Sequence, residues 1–221
     1  MSPLTPIETP FLRDQALVRL RAAIVSGMLA PSAALSIDDI ADALGLSTMP
    51  VREAVKRLVG EGLVEELPRR AHRVAPLTSR GALDVLEVME TLMVRAYELG
   101  VPALRAEDVD EMRRRLDAAA RAAAGGDMIG ALAGIHAMHT VVYDATGNPE
   151  FERALRSIVP RFDRVLHLWY TDSIADVGSS YRRDVVDALE RGAGADAISI
   201  MRDAWRRFRD VVAAREEPGA A

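Results

Sequence analysis

The sequence contains no cysteine. That one absence excludes a disulfide scaffold, thiolate zinc sites, iron–sulfur clusters and a cysteine nucleophile. Aromatic residues make up 5% of the 221 positions, so the core has to be built from Leu, Val, Ile, Ala and Met. No apolar run approaches the roughly 18 residues of a membrane-span candidate. Met1 to Pro10 is polar and broken by three prolines, unlike a signal peptide, and is expected to be a flexible tail. These absences lead to the expectation of a cytoplasmic protein. The balance of 49% hydrophobic to 28% charged residues suits a folded chain rather than a disordered one.

Excess positive charge is also missing, since the formal net charge is −5. The average hides an asymmetry. Met1 to Leu77 holds 9 basic residues against 9 acidic ones, whereas the remainder holds 19 against 24. Arg52, Lys56, Arg57, Arg69, Arg70 and Arg73 crowd into one short stretch of the first part. Binding phosphates needs a local positive face, not a basic protein.

In the first part the pattern is helical, then short. Leu17, Leu20, Ile24 and Met28 recur at helical spacing from Phe11 onward, with Gly27 near the end. Ser36 with Asp39 three residues on makes a capping-box arrangement before Ile37, Ile40, Ala41 and Leu44. Gly45 is placed to end that helix in the left-handed conformation. Ser47 offers a second N-cap, and Pro50 falls in a first turn, where its missing N–H costs nothing. Val51, Ala54, Val55 and Leu58 then form a buried face, leaving Thr48, Met49, Arg52, Lys56 and part of Arg57 outward. Two short helices about a tight turn make a helix-turn-helix pattern. Leu63–Glu66 and His72–Ala75, on either side of Pro68-Arg69-Arg70, read as a β-hairpin, a wing. The first domain is therefore three helices plus a β-hairpin wing over residues 11–77, a winged helix-turn-helix.

Beyond Pro76 no strand pattern survives. Thr78 or Ser79 is placed to cap a long helix with Val85, Leu86, Met89, Leu92, Met93 and Ala96 inward, stopped by Gly100 and Pro102. Helices follow over Ala106–Ala124, Met128–Ala145, Asn148 to about Tyr170, Ser179–Arg191 and Ala195–Ala214. Gly147-Asn148-Pro149 marks a stop and restart. The fold class is mainly α, with residues 78–221 forming an all-α bundle of six or seven helices.

Three stretches carry a family resemblance. They are Ser26-Gly27-Met28-Leu29-Ala30-Pro31, the run Leu44 to Val55 containing Pro50-Val51-Arg52-Glu53-Ala54, and Glu61-Gly62-Leu63-Val64. In these the chain resembles the GntR family of bacterial transcription regulators. The helical block resembles the FCD ligand domain of the FadR-type subfamily, through His139 and the following Ala145-Thr146-Gly147-Asn148-Pro149. The resemblance covers nearly the whole chain after the tail. It implies a DNA-binding regulator, expected to be a repressor, acting as a homodimer on a two-fold symmetric double-stranded operator.

The resemblance also implies roles for residues. Arg52 holds the position of the family's principal base-reading arginine, suited to a bidentate contact with guanine. Thr48 and Met49 depart from the Arg and Thr common there, and Met49 suits a thymine methyl. Ser47 and Lys56 flank them; Ser47 serves either phosphate or only as a cap. In the wing, Arg69, Arg70, His72 and Arg73 are candidates for the minor groove or phosphates. Arg57 and Arg73 equally suit a solvated face.

FCD domains typically hold a divalent metal with an Asp and a His at i and i+4 on one helix and two further His on two others, a spacing that converges because i and i+4 share a face. Here those positions carry Ile135, His139, Arg182 and Ala204, so one ligand of four remains. A guanidinium cannot ligate a cation. No metal cofactor is expected; instead His139, Arg182, Tyr143 and His167 are candidates for an effector pocket. Its ligand would be a small organic anion, a carboxylate or an acyl compound. Arg182 either supplies charge to such a ligand or pairs with an internal acid, and a one-residue slip in register would put Tyr181 in its place. His167 either faces the cavity or sits in the core, and His136 is expected to be packing or surface. No activated nucleophile, phosphate-binding glycine loop or metal cluster supports an enzyme, even with His136 or His139 as a base. The standing alternative is a ligand-blind dimeric DNA-binding protein whose bundle only dimerises.

Overall fold

The computed structural model describes residues 10–169 and 172–214, and the expected tail lies outside them except for Pro10. The chain forms two compact units that meet between Leu77 and Thr78. Among the described residues no helix is long and apolar enough to cross a membrane.

The first unit is built on α1 (Pro10–Val25), α2 (Ile37–Leu44) and α3 (Thr48–Gly60). Ser36 caps α2 by accepting the Asp39 amide at 3.2 Å, and Gly45 closes it at φ 65°. Ala16, Leu17, Leu20 and Ile24 of α1 bury against Val51, Ala54, Val55 and Leu58 of α3. A two-pronged ion pair staples the same helices: Arg21 Nε and Nη2 donate to the two Glu61 carboxylate oxygens at 2.9 and 2.6 Å. The first helix stops earlier than its periodicity predicts. Gly27 turns the chain at φ 78°, and Met28 is left 82% exposed rather than joining the core.

The wing has three strands, not the two of a hairpin. β2 (Val64–Leu67) and β3 (Ala71–Val74) pair antiparallel, and β1 (Ala34–Leu35) adds to the far side of β3, opposite His72 and Arg73. Two residues are too few for an alternating hydrophobic pattern, which is why β1 left no signature. At the tip, Pro68-Arg69-Arg70 makes a 3-10 turn with Arg69 and Arg70 at φ 63° and 60°.

The second unit is a bundle of α4 (Ser79–Gly100), α5 (Ala106–Ala124), α6 (Met128–Ala145), α7 (Pro149–Leu168), α8 (Asp172–Glu190) and α9 (Gly194–Ala213). Thr78 Oγ1 caps α4 by accepting the Gly81 amide at 3.0 Å, and Asn148 caps α7 through Glu150 at 3.0 Å. α8 begins before the Ser179 that the sequence suggests. α4 packs against α6, α7 and α9, and α5 against α6 and α8. α4 ends at Gly100, as the sequence suggests, and this glycine has a second role. It is helical and buried, and a Cβ there would lie 2.3 Å from the Val142 carbonyl oxygen of α6. α5 and α6 also approach closely, with Gly134 set against Ala119.

Two glycines therefore predict opposite signs. Gly60, with open space around its Cβ position, should gain about 0.5–1 kcal/mol as Gly60→Ala. Gly100→Ala should lose about 1–3 kcal/mol, because backbone oxygen cannot move aside. Urea unfolding midpoints of the two variants against the parent check both signs.

Candidate functional site

Two groups of side chains stand out, one in each unit. In the first, Ser47 is the residue before α3, yet its side chain makes no capping bond, so its exposed hydroxyl is available to another acceptor or donor. Met49 is 72% exposed at the helix start, and Thr48 is half-buried beside it. Arg52 and Lys56, one turn apart, are exposed on the same side of α3 and meet no carboxylate among the described residues. Their neighbours differ. Arg57 lies 3.4 Å from Asp14 of α1, and Arg73 donates to Glu65 across the β2–β3 ladder at 2.7 Å.

The cations therefore divide into two sets. Arg21, Arg57 and Arg73 are held by internal carboxylates. Arg73 thus leaves the set of freely presented wing cations that the sequence suggested. Arg52, Lys56, Arg69 and Arg70 are exposed, and among the described residues none has an ion-pair partner. His72 shares its side of β3 with buried Val74 and is half-buried, so it is turned further inward than Arg69 and Arg70. Non-glycine residues in the left-handed region are strained, and two follow one another at this cationic tip.

The second group lies inside the bundle around His139, which is 4% exposed. Tyr97 of α4 reaches its Nδ1 at 2.7 Å, and Tyr181 of α8 lies 3.5 Å from its Nε2. Tyr143, one turn along α6, stacks with the imidazole at a 6.4 Å centroid distance and 12° between planes. The Arg182 guanidinium sits 5.0 Å from the Tyr181 ring centroid and is itself buried. Beyond Tyr181 the aromatic wall continues through Phe208 and Trp205 to Phe162.

Burial is the main force on the charges here. It holds the His139 pKa well below the usual histidine value, with Arg182 and His136 adding repulsion, so the ring is neutral. Burial also pushes the Tyr97 and Tyr143 phenols well above their usual range. They remain protonated hydroxyls.

Several residues fall differently from their sequence assignment. Tyr181, not Arg182, is the α8 side chain that meets His139, so the register is one residue from the expected one. Both are buried, and Arg182 still acts on His139 through its charge. His167 is half-buried near the end of α7, and among the described residues it joins neither His139 nor any aromatic ring. His136 is bound instead to Asp163 of α7, its Nε2 lying 2.9 and 3.0 Å from the two carboxylate oxygens. Tyr97 was missed. Its only signal was an apolar helical position carrying a hydroxyl.

The residues do not fit the family's divalent ion. Ile135 and Ala204 carry no donor atom, Arg182 is a cation, and both ring nitrogens of His139 face phenol hydroxyls. Among the described residues no three His, Cys, Asp or Glu side chains come together. Two open hollows lie elsewhere. One of about 490 Å³ between α4 and α9 is lined by charged residues including Glu98 and Arg202, and one of about 800 Å³ is lined by Val101, Pro102, Leu189 and Ile198.

A helix-turn-helix with a wing, followed in the same chain by an all-helical bundle with a buried polar centre, is the architecture of a bacterial DNA-binding regulator. Residues 12–74 match the model of the bacterial regulatory proteins of the gntR family, and residues 84–207 match the FCD domain. The chain belongs to the GntR family and carries an FCD domain; it is a transcriptional regulator and not an enzyme. It is similar to a protein of Paenarthrobacter nicotinovorans named as a probable D-xylose utilization operon transcriptional repressor, 28% identical over 76% of this chain and 74% of that one. It is also similar to the HTH-type transcriptional regulator McbR of Escherichia coli K12, 27% identical over 65% of each. The solved McbR/YncC structure superimposes with a TM-score of 0.72 at 22% identity, covering 91% of this chain and 97% of that one. A GntR regulator from Rhodococcus sp. RHA1 gives 0.73 at 21% identity, covering 92% and 99%.

The neutral state of His139 sets a pH dependence. Its folded pKa is depressed, so the unfolded chain binds the proton more readily and stability is lost as pH falls below about 6.5. The expected loss corresponds to the uptake of one proton by this group on unfolding. Urea unfolding between pH 7.5 and 5.5 should show a shallower slope in His139→Asn than in the parent.

Proposed function

We propose that the chain is a repressor whose operator binding is controlled by a small organic effector held in the helical bundle. The observation that carries the DNA half is the sorting of the cations. Among the described residues Arg52, Lys56, Arg69 and Arg70 stay exposed without carboxylate partners, while neighbouring arginines are held by carboxylates. In this reading the start of α3, with Ser47, Thr48, Met49 and Arg52, enters the major groove, and Lys56 holds a phosphate. Arg69 and Arg70 reach the minor groove or its phosphates, while His72 and Arg73 support the wing. One short recognition helix reads few base pairs, so the working form is a homodimer on a two-fold symmetric operator. The bundle half rests on His139, Tyr143 and Arg182, with an organic anion bringing differential affinity for two arrangements of the paired chains.

A ligand-blind reading has one observation in its favour. Three of the four metal-ligand positions carry residues that do not ligate. A small molecule that releases the operator excludes it.

The direct experiment selects a duplex from a random-sequence pool with the full chain and then measures affinity against salt. Arg52→Ala should lose about 1–3 kcal/mol of specific binding and relax preference at one base pair. Lys56→Ala should weaken all sequences alike and lower the salt slope by about 1. Unchanged affinity in Arg52→Ala would remove α3 from the interface. The wing separates stability from binding: Arg69→Gly should leave the melting temperature equal or higher while lowering DNA affinity. A loss of both together would mean that the tip is purely structural.

A further inference from the structure

Cysteine is absent from the whole chain, so no thiol competes for an oxidant. The two tryptophans, Trp169 and Trp205, are 6% and 1% exposed. Oxidation therefore falls to the thioethers, and these are sorted by position. Met89, Met93, Met112, Met138 and Met201 are at most 2% exposed, packed inside the helical bundle. Met28 and Met49 are 82% and 72% exposed, and both belong to the first unit. Met28 stands in the turn after α1. Met49 stands in the first turn of α3, and Arg52 and Lys56 follow it at i+3 and i+7, on the same side of the helix. The most accessible sulfur on α3 thus shares a face with the two unpaired cations of that helix.

We propose that Met49 is a reversible oxidation site through which a peroxide weakens operator binding. This rests on the reading above that the start of α3 enters the major groove. The sulfur lone pair attacks one peroxide oxygen; the O–O bond breaks, an S–O bond forms and water leaves. Sulfur loses two electrons and the peroxide gains them. The product replaces a flexible apolar thioether by a polar, chiral sulfoxide whose oxygen only accepts hydrogen bonds. A thymine methyl offers that oxygen no partner, and the flanking phosphates repel it. A sulfoxide reductase reverses the step: a dithiol supplies two electrons and two protons, water leaves and the thioether returns. The duplex itself covers the sulfur, so the free protein is the form that is oxidised. Met28, exposed but outside α3, oxidises without this consequence.

The test treats the full chain with millimolar hydrogen peroxide, with and without the duplex selected above, and locates each added oxygen by peptide mass spectrometry. Met28 and Met49 should gain oxygen before the five bundle methionines. On the duplex Met49 should be protected while Met28 is not. Operator affinity of the oxidised chain should fall about fivefold or more. Methionine sulfoxide reductases A and B with a dithiol should restore it. Met49→Leu, whatever its own starting affinity, should hold it through the same treatment. Met28→Leu should stay as sensitive as the parent.

Oxidation of Met49 no faster than that of the bundle methionines, unchanged affinity with Met49 fully oxidised, or a loss that persists in Met49→Leu would each overturn the proposal. Two outcomes separate it from the groove reading. Met49 protected by the duplex, yet oxidised without loss of affinity, keeps α3 in the groove and overturns the oxidation switch. A loss abolished by Met49→Leu, with Met49 equally reactive on the duplex, keeps the switch and overturns the groove placement.

Discussion

The bundle depends on how closely α4 can lie against α6. Gly100 removes the Cβ that would strike the Val142 carbonyl, and one turn back along α4 the same approach delivers the Tyr97 hydroxyl to His139. A hydrogen bond of 2.7 Å between two buried side chains tolerates little helix displacement. The packing of two helices and the placement of one buried imidazole are thus a single constraint. The tight α5–α6 contact at Gly134 and Ala119, with Arg115 donating to the Ala137 carbonyl at 2.6 Å, holds α6 from its other side.

The first unit meets a different problem. It carries as many acidic as basic residues, yet the reading proposed for it requires a positive face. The structure separates the charges by position. Glu61, Asp14 and Glu65 draw Arg21, Arg57 and Arg73 into pairs that tie α1 to α3 and β2 to β3. The α2 acids Asp38 and Asp39 lie in the first turn of that helix, where a partial positive charge from the backbone favours them. What remains exposed is Arg52 and Lys56 beside Glu53 on α3, and Arg69 and Arg70 at the wing tip. A near-neutral unit acquires a polar surface through pairing, not composition.

Much of this was legible in the sequence because caps and apolar spacing are local. Ser36, Gly45, Thr78 and Asn148 each stand where backbone groups need a partner or a left-handed turn, so the helices they bound were readable. The parts that stayed hidden depend on contacts between distant segments. β1 exists because Ala34 and Leu35 find β3 about forty residues later, and two residues carry no period. Gly100 is readable as the end of α4, but its close approach to α6 is not. The resemblance located His139, while Tyr97 and Tyr181 come from helices whose register toward α6 no local pattern determines. The Arg182 assignment slipped by one residue for that reason, and the long reach of His136 to Asp163 was invisible for the same one.

The added strand β1 has a mechanical consequence. Leu35 pairs with His72 in the wing, Ser36 caps α2, and Gly45 turns the chain directly towards α3. The wing is thereby laced to the helix pair through one residue of slack, leaving no independent hinge between them. Fixing the orientation of either on a surface fixes the other, so the rotational freedom lost on docking is lost once for both. A second contact then forms as an intramolecular event at high effective concentration.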